Sequence, residues 1–150
     1  MIDIGSKTKY PGNELSNFAR HPFPVDGVWC ESMEGFLQSL KTSNEDTQLH
    51  IRILAGYEAK KAGSRYHTWK MHQKLYWRGK EIDRQSQEYQ DLLDKAYEGL
   101  YKNTGFIKAL EASGTEVLDH SIGKGNAYDT VLTIGEFLSR LNSLREFGEL

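Results

Sequence analysis

Glu34, Gln38 and Lys41 stand at i, i+4 and i+7 within "SMEGFLQSLK", residues 32–41. On a helix this spacing lines an acid, an amide and an amine along one face. The strip lies about 100° around the helix from Met33, Leu37 and Leu40, at the border between core and solvent. Such an edge has two readings. One is a solvated face with an ordinary lysine, and spacing alone favours it. The other is the edge of a cleft, where a carboxylate trades protons and a partly desolvated lysine loses its own and becomes a nucleophile.

Other residue groups can be weighed in the same way. Asp119 is the partner to test with Glu34 for a glycosidase-type carboxylate pair, although spacing cannot locate such a pair. "NELSNFARHPF", residues 13–23, reads as a loop in which Leu15 and Phe18 pack inward. Its Ser16 and Asn17 are turn formers able to present side-chain hydrogen bonds. Residues 57–84 interleave Lys60, Lys61, Arg65, Lys70, Lys74, Arg78, Lys80 and Arg84 with Tyr66, Trp69, Tyr76 and Trp77. Cations neutralise phosphate and rings stack on bases, so the segment suits a nucleotide or nucleic acid; core rings beneath an ordinary charged surface would read the same. His67 and His72 have no metal-binding spacing and the other histidines are dispersed, so no metal site is expected. "IGKG", residues 122–125, is too short for a phosphate loop.

These residues need elements to position them. Ser32 is a natural N-cap for a helix over the Glu34 strip, and "VDGV" before it is a tight hairpin signal. A second helix start is expected at Ser43, with Leu49, Ile53 and Leu54 on its buried side. A short helix over 57–62 should stop at Gly63. Helical patterns follow over 66–77, 89–101 and 106–112. "TEVLDHS" reads as a short strand and "GKGNAYD" as a flexible loop. Thr133 with Glu136 forms a capping box for a last helix carrying Ile134, Phe137, Leu138, Leu141 and Leu144. The expectation is one α+β, mostly helical domain over residues 1–150, with a few short strands.

Bulk composition agrees. The chain has 150 residues, 38% hydrophobic and 27% charged, as in an ordinary globular protein. A net charge of −2 excludes a protein that is basic throughout. Cys30 is the only cysteine, which excludes an intrachain disulfide and a cysteine-built zinc site. No apolar run approaches a membrane span and "MIDIGSKTKYPGNE" has no apolar leader, so a cytoplasmic address and no membrane partner are expected. Nothing in the sequence sets an oligomeric state.

"LSNF" at 15–18, "PF" at 22–23, "VDGVWCESMEGFLQSLK" at 25–41 and "EAKKAG" at 58–63 come in an order that resembles the NADAR (YbiA-like) family. Its Ser-x-Glu-x-x-x-Gln-x-x-Lys pattern is matched at Ser32, Glu34, Gln38 and Lys41. Later likenesses, in "ALEASGTEVLDHS" and "IGEFLSRLNSLR", are looser. The resemblance implies a compact, phage-type N-glycosidase domain with no metal or redox cofactor. Such enzymes cleave a C–N glycosidic bond in an early riboflavin-pathway intermediate, or remove ADP-ribose from guanine in DNA, reversing toxin-type DNA ADP-ribosylation. The implied partner is ADP-ribosylated nucleic acid or a related nucleotide, met in the host cytoplasm if the chain is phage-encoded. By the same resemblance Glu34 is catalytic and Lys41 attacks the anomeric carbon of the opened ribose to form a Schiff base. Ser16, Asn17 and Gln38 position the substrate, beside Phe18, and Trp69 or Trp77 stacks on the base. The family's late Asp-x-x-Trp-Gly-x-Gly element is approximated by Asp119–Gly125, which keeps Asp119, Gly123 and Gly125 but has Ile122 in place of the tryptophan. That departure bears on substrate choice and on turnover, and leaves open a module that binds ADP-ribose or modified nucleic acid without cleaving it.

Overall fold

The computed structural model describes residues 1–150 as a single α+β domain of eight helices and six short strands. The predicted hairpin forms from β2 (Phe23–Val25) and β3 (Val28–Cys30). Asp26 and Gly27 both take positive φ, 50° and 73°, as a two-residue turn between twisted strands requires. Helix α2 (Met33–Ser39) follows at once, and the Ser32 hydroxyl accepts from the Gly35 amide as its cap. Its inner face, Met33, Phe36, Leu37 and Leu40, enters one core with Phe23, Leu93, Tyr97 and Phe137.

Helix α3 (Glu45–Arg52) is capped by Asn44 rather than Ser43. Its buried side is Gln48 and Ile51, whereas Leu49 and Ile53 are half exposed. The reason is local: Gln48 donates its amide to the Ser39 and Tyr76 carbonyls, a polar anchor that turns the expected apolar face outward. Helix α4 (Gly56–Ser64) does not stop at Gly63, which instead lies where the helix meets α2. A Cβ there would sit 2.1 Å from Gln38 Oε1.

The expected helix over 66–77 is corrected most. Only Trp69–His72 is helical (α5), and Gln73 closes it at φ 54°. The chain then runs into an antiparallel pair, β4 (Lys74–Trp77) and β5 (Lys80–Asp83), turning through Arg78 and Gly79, both at positive φ. Alternation of Leu75 and Trp77 inward with Lys74 and Tyr76 less buried was the overlooked period-two signal.

Helices α6 (Gln87–Leu100), α7 (Thr104–Ala112) and α8 (Ile134–Phe147) begin at Ser86, Asn103 and Thr133, each with a side-chain cap. The Thr133–Glu136 capping box is present in both directions. The strand expected in "TEVLDHS" is β6 (Leu118–Asp119), paired in parallel with β1 (Ile2–Asp3). No helix is long and apolar enough to cross a membrane.

Candidate active site

A cleft of about 290 Å³ opens between α2, the Ser16–Phe18 segment, α5 and the chain from His120 to Thr133. Glu34, Gln38 and Lys41 share it with Ser16, Asn17, Phe18, Trp69 and Gly123. The polar edge of α2 therefore faces a cavity and not bulk solvent.

Glu34 sits in the first turn of α2, and its backbone amide donates to the Asn17 carbonyl at 3.0 Å, tying the loop to the helix. Its carboxylate accepts from Gln38 Nε2 at 2.8 Å. Burial pushes the Glu34 carboxyl up from its ordinary value, against the opposing pull of Gln38, Lys41, Lys60 and His120. Burial also lowers the Lys41 ammonium to about 8, helped by the nearby Lys70, Lys124 and Lys60 charges and opposed by Glu34. Each group is moved towards its neutral form. The lysine ion pairs of the chain are Lys74–Asp83, Lys80–Glu88 and Lys95–Asp26, so Glu34 and Lys41 share the cleft without pairing.

Asn17 is oriented from behind. The buried Tyr97 hydroxyl donates to its Oδ1 at 2.9 Å, which leaves the Asn17 NH2 as the donor for a ligand. Gln38 has its Oε1 buried without a partner against Gly63. The single thiol, Cys30, is fully buried and pushed up to about 12 by desolvation, so it offers no rival nucleophile.

Two expected residues lie elsewhere. Trp77 is a core residue, packed edge-on against Phe36 with ring centroids 5.2 Å apart, and its indole N–H donates to Asp26 at 2.9 Å. It does not line the cleft and has no face to offer a base. Asp119 is likewise outside the cleft lining; its side chain accepts from the His120 amide at 2.8 Å, so it forms no carboxylate pair with Glu34. Trp69 does reach the wall, but at 3% exposure it is mostly core, and the less buried Phe18 presents more ring.

Sequence reasoning missed His120 and Lys124, which line the cleft together with Lys60 and Lys70 of the basic, ring-bearing segment. The three lysines come from α4, α5 and the loop before α8, so only the fold brings them together. With Lys41 they make four cations against Glu34 and Asp129. Ile122, 75% exposed, stands at the rim.

The architecture is that of a YbiA-like α+β domain. The NMR structure of the Escherichia coli protein YbiA superposes with a TM-score of 0.59 at 18% identity, covering 97% of this chain and 85% of that one. That likeness concerns the fold, and it supports there the resemblance read from the motifs. Residues 9–146 match the model of bacteriophage protein GP30.3, and the chain belongs to that phage family. It is 40% identical over 147 residues, 97% of each chain, to the "Uncharacterized 17.1 kDa protein in Gp30-rIII intergenic region" of Enterobacteria phage T4.

Proposed function

We propose that the chain is an N-glycosidase that hydrolyses a C–N glycosidic bond, removing ADP-ribose from guanine in DNA. The observation carrying this reading is the joint setting of Glu34 and Lys41: one cleft, both shifted towards neutrality, with surplus lysines around them. A neutral carboxyl can protonate the ribose ring oxygen as the ring opens to an iminium. A neutral amine can then attack C1. The proton that the attacking nitrogen sheds returns through the Glu34 carboxylate to the base nitrogen, and the C1–base bond breaks. What remains is an imine between Lys41 Nζ and C1, which water hydrolyses. Gln38 holds Glu34, the Asn17 NH2 binds a substrate oxygen, and Phe18 flanks the base, with Trp69 behind it. Lys60, Lys70 and Lys124 meet the phosphates. Ser16, whose Oγ accepts from the Phe18 amide, and Gly123 shape the walls.

The test is borohydride trapping during turnover of ADP-ribosylated single-stranded DNA, read by mass spectrometry. A ribosyl adduct on Lys41 is expected, with release of unmodified guanine. Free ADP-ribose conjugates and riboflavin-pathway intermediates run beside it, and faster turnover of the latter would reassign the substrate. A second reading rests on Ile122, an exposed aliphatic side chain at the cleft mouth where an indole would stack. On that reading the cleft binds ADP-ribose without turnover, and tight binding with neither product nor adduct would establish it.

A further inference from the structure

Among the cleft residues, His120 is the one titratable group with an anchored ring and no assigned task. Its Nδ1 lies 2.8 Å from the Ile4 carbonyl oxygen. A carbonyl only accepts, so Nδ1 carries the hydrogen and Nε2 of the neutral ring carries the lone pair. Nε2 has no protein partner and is open to solvent, on a residue that lines the cleft. The ring is fixed on its other sides as well. It packs edge-on against Phe137 at 5.2 Å between centroids, and a Cβ on Gly123 would come within 2.6 Å of its Cδ2. Its backbone amide is held by Asp119 Oδ1 and its carbonyl accepts from the Gly123 amide at 2.9 Å. A ring clamped on three sides, with an unpaired, solvent-accessible lone pair on a residue that lines the cleft, has the construction of a general base.

We infer that His120 is a further catalytic residue, the base that activates water to hydrolyse the Lys41 imine. The inference rests on the glycosidase reading and assigns its second half. Water oxygen bonds to C1 of the protonated imine while its proton passes to His120 Nε2 and the C=N electron pair returns to Lys41 Nζ. His120 then gives that proton to Nζ. As the C1–Nζ bond breaks it takes the proton of the new hydroxyl, leaving an aldehyde, a free amine and an imidazolium that loses its proton to solvent. Glu34 handles the ring oxygen and the departing base; His120 handles water.

The discriminating variant is His120→Asn, whose amide can keep the donor towards the Ile4 carbonyl while removing the basic nitrogen. Single-turnover and steady-state rates are measured on ADP-ribosylated single-stranded DNA, with borohydride trapping at intervals and a melting curve as the folding control. The expected result is base release within about threefold of wild type in the first turnover. Steady-state turnover should fall roughly a hundredfold, the scale of lost general-base catalysis, and trapped Lys41 adduct should build up. His120→Gln, which cannot act as a base either, should reproduce the accumulation. Unchanged steady-state turnover in both variants overturns the role of His120 alone. So does equal loss of base release and turnover without adduct, because a merely structural residue would slow both halves together. If the wild-type chain yields neither guanine nor adduct from any substrate, the glycosidase reading fails and this inference falls with it.

Discussion

The wall carrying Glu34, Gln38 and Lys41 is one capped helix and the turn that closes it, whereas the facing wall, His120 to Thr133, contains no regular element. Backbone ladder bonds set the first. Side chains reaching in from other elements set the second: Arg84 Nε donates to the Thr130 carbonyl at 2.9 Å, Gln73 to the Tyr128 carbonyl and Gln85 to the Ala127 carbonyl, both at 3.1 Å. A helix face is a local property of the sequence. A tethered loop is not, because each tether comes from roughly 40 to 55 residues away. The first wall can therefore hold the groups that need fixed spacing, and the second can vary the shape presented to the substrate.

If the first wall holds the chemistry, its removal has the largest effect. Lys41→Ala and Glu34→Gln should each lower guanine release by at least about a hundredfold, the usual scale for losing a nucleophile or a proton donor. Melting temperatures should stay near wild type. The pH dependence should carry the same signature. Turnover should rise as pH climbs towards about 8, where Lys41 sheds its proton, while burial raises the Glu34 carboxyl and so favours the protonated form that it must deliver from. A rate that already declines between pH 6 and 8 would contradict an amine nucleophile.

The second wall should fail through stability. Arg84 is 1% exposed, bonded through both terminal nitrogens to Glu136 and stacked over Tyr89 at 4.8 Å. Arg84→Ala leaves Glu136 short of its cation and frees Thr130, and breaking a buried pair costs about 3–5 kcal/mol. Burial acts to raise the Glu136 carboxyl, but hydrogen bonds from Arg84, Thr133 and Gln90 outweigh it, and the group sits below 4.5. Its stabilisation is present above that pH and is lost as pH falls through the lowered value, so acid should melt this wall first. Chemical denaturation at stepped pH, followed by amide exchange over residues 120–136, measures both effects. Equal protection of α2 and the 120–133 wall at low pH would mean that the two walls unfold as one.

Legibility in the sequence followed the same division. Ser32, the Asp26–Gly27 turn and the Thr133–Glu136 box act within a few residues, so their caps and turn formed as expected. The helix expected across 66–77 failed because Gln73 at positive φ ends it and period-two alternation takes over. The outward turn of Leu49 depends on Gln48 reaching Ser39 and Tyr76, the latter 28 residues away. Among site residues, the α2 strip was visible as spacing and Ser16–Phe18 only through the family resemblance, while His120, Lys124 and the lysines of residues 57–84 meet them only in three dimensions.

A smaller effect probes the seam where the first wall is supported from behind. Gly63→Ala would drive a methyl group into the Gln38 side chain, whose Oε1, Cβ and Cδ all lie under 3 Å from the new Cβ. Overpacking of this kind costs about 1–3 kcal/mol. Because Gln38 Nε2 holds the Glu34 carboxylate, turnover should drop further than stability, by about tenfold in a chain that remains folded at assay temperature. Steady-state kinetics beside a melting curve separates the two, and a variant with lowered stability but full activity would show that Gln38 does not set Glu34.

The smallest change expected is at Trp77, whose indole the sequence could not place. Trp77→Phe keeps a ring against Phe36 and removes the N–H that Asp26 accepts, a partly buried hydrogen bond worth about 1 kcal/mol. Asp26 also pairs with Lys95 at 3.4 Å, so its carboxylate keeps a cationic partner. Binding of ADP-ribose by calorimetry should be unaltered. Trp69→Phe, by contrast, trims a ring that lines the cleft and should weaken binding severalfold. The pair separates a tryptophan that holds the hairpin from one that forms the wall. Weakened binding in Trp77→Phe with an unchanged affinity in Trp69→Phe would reverse their assignment.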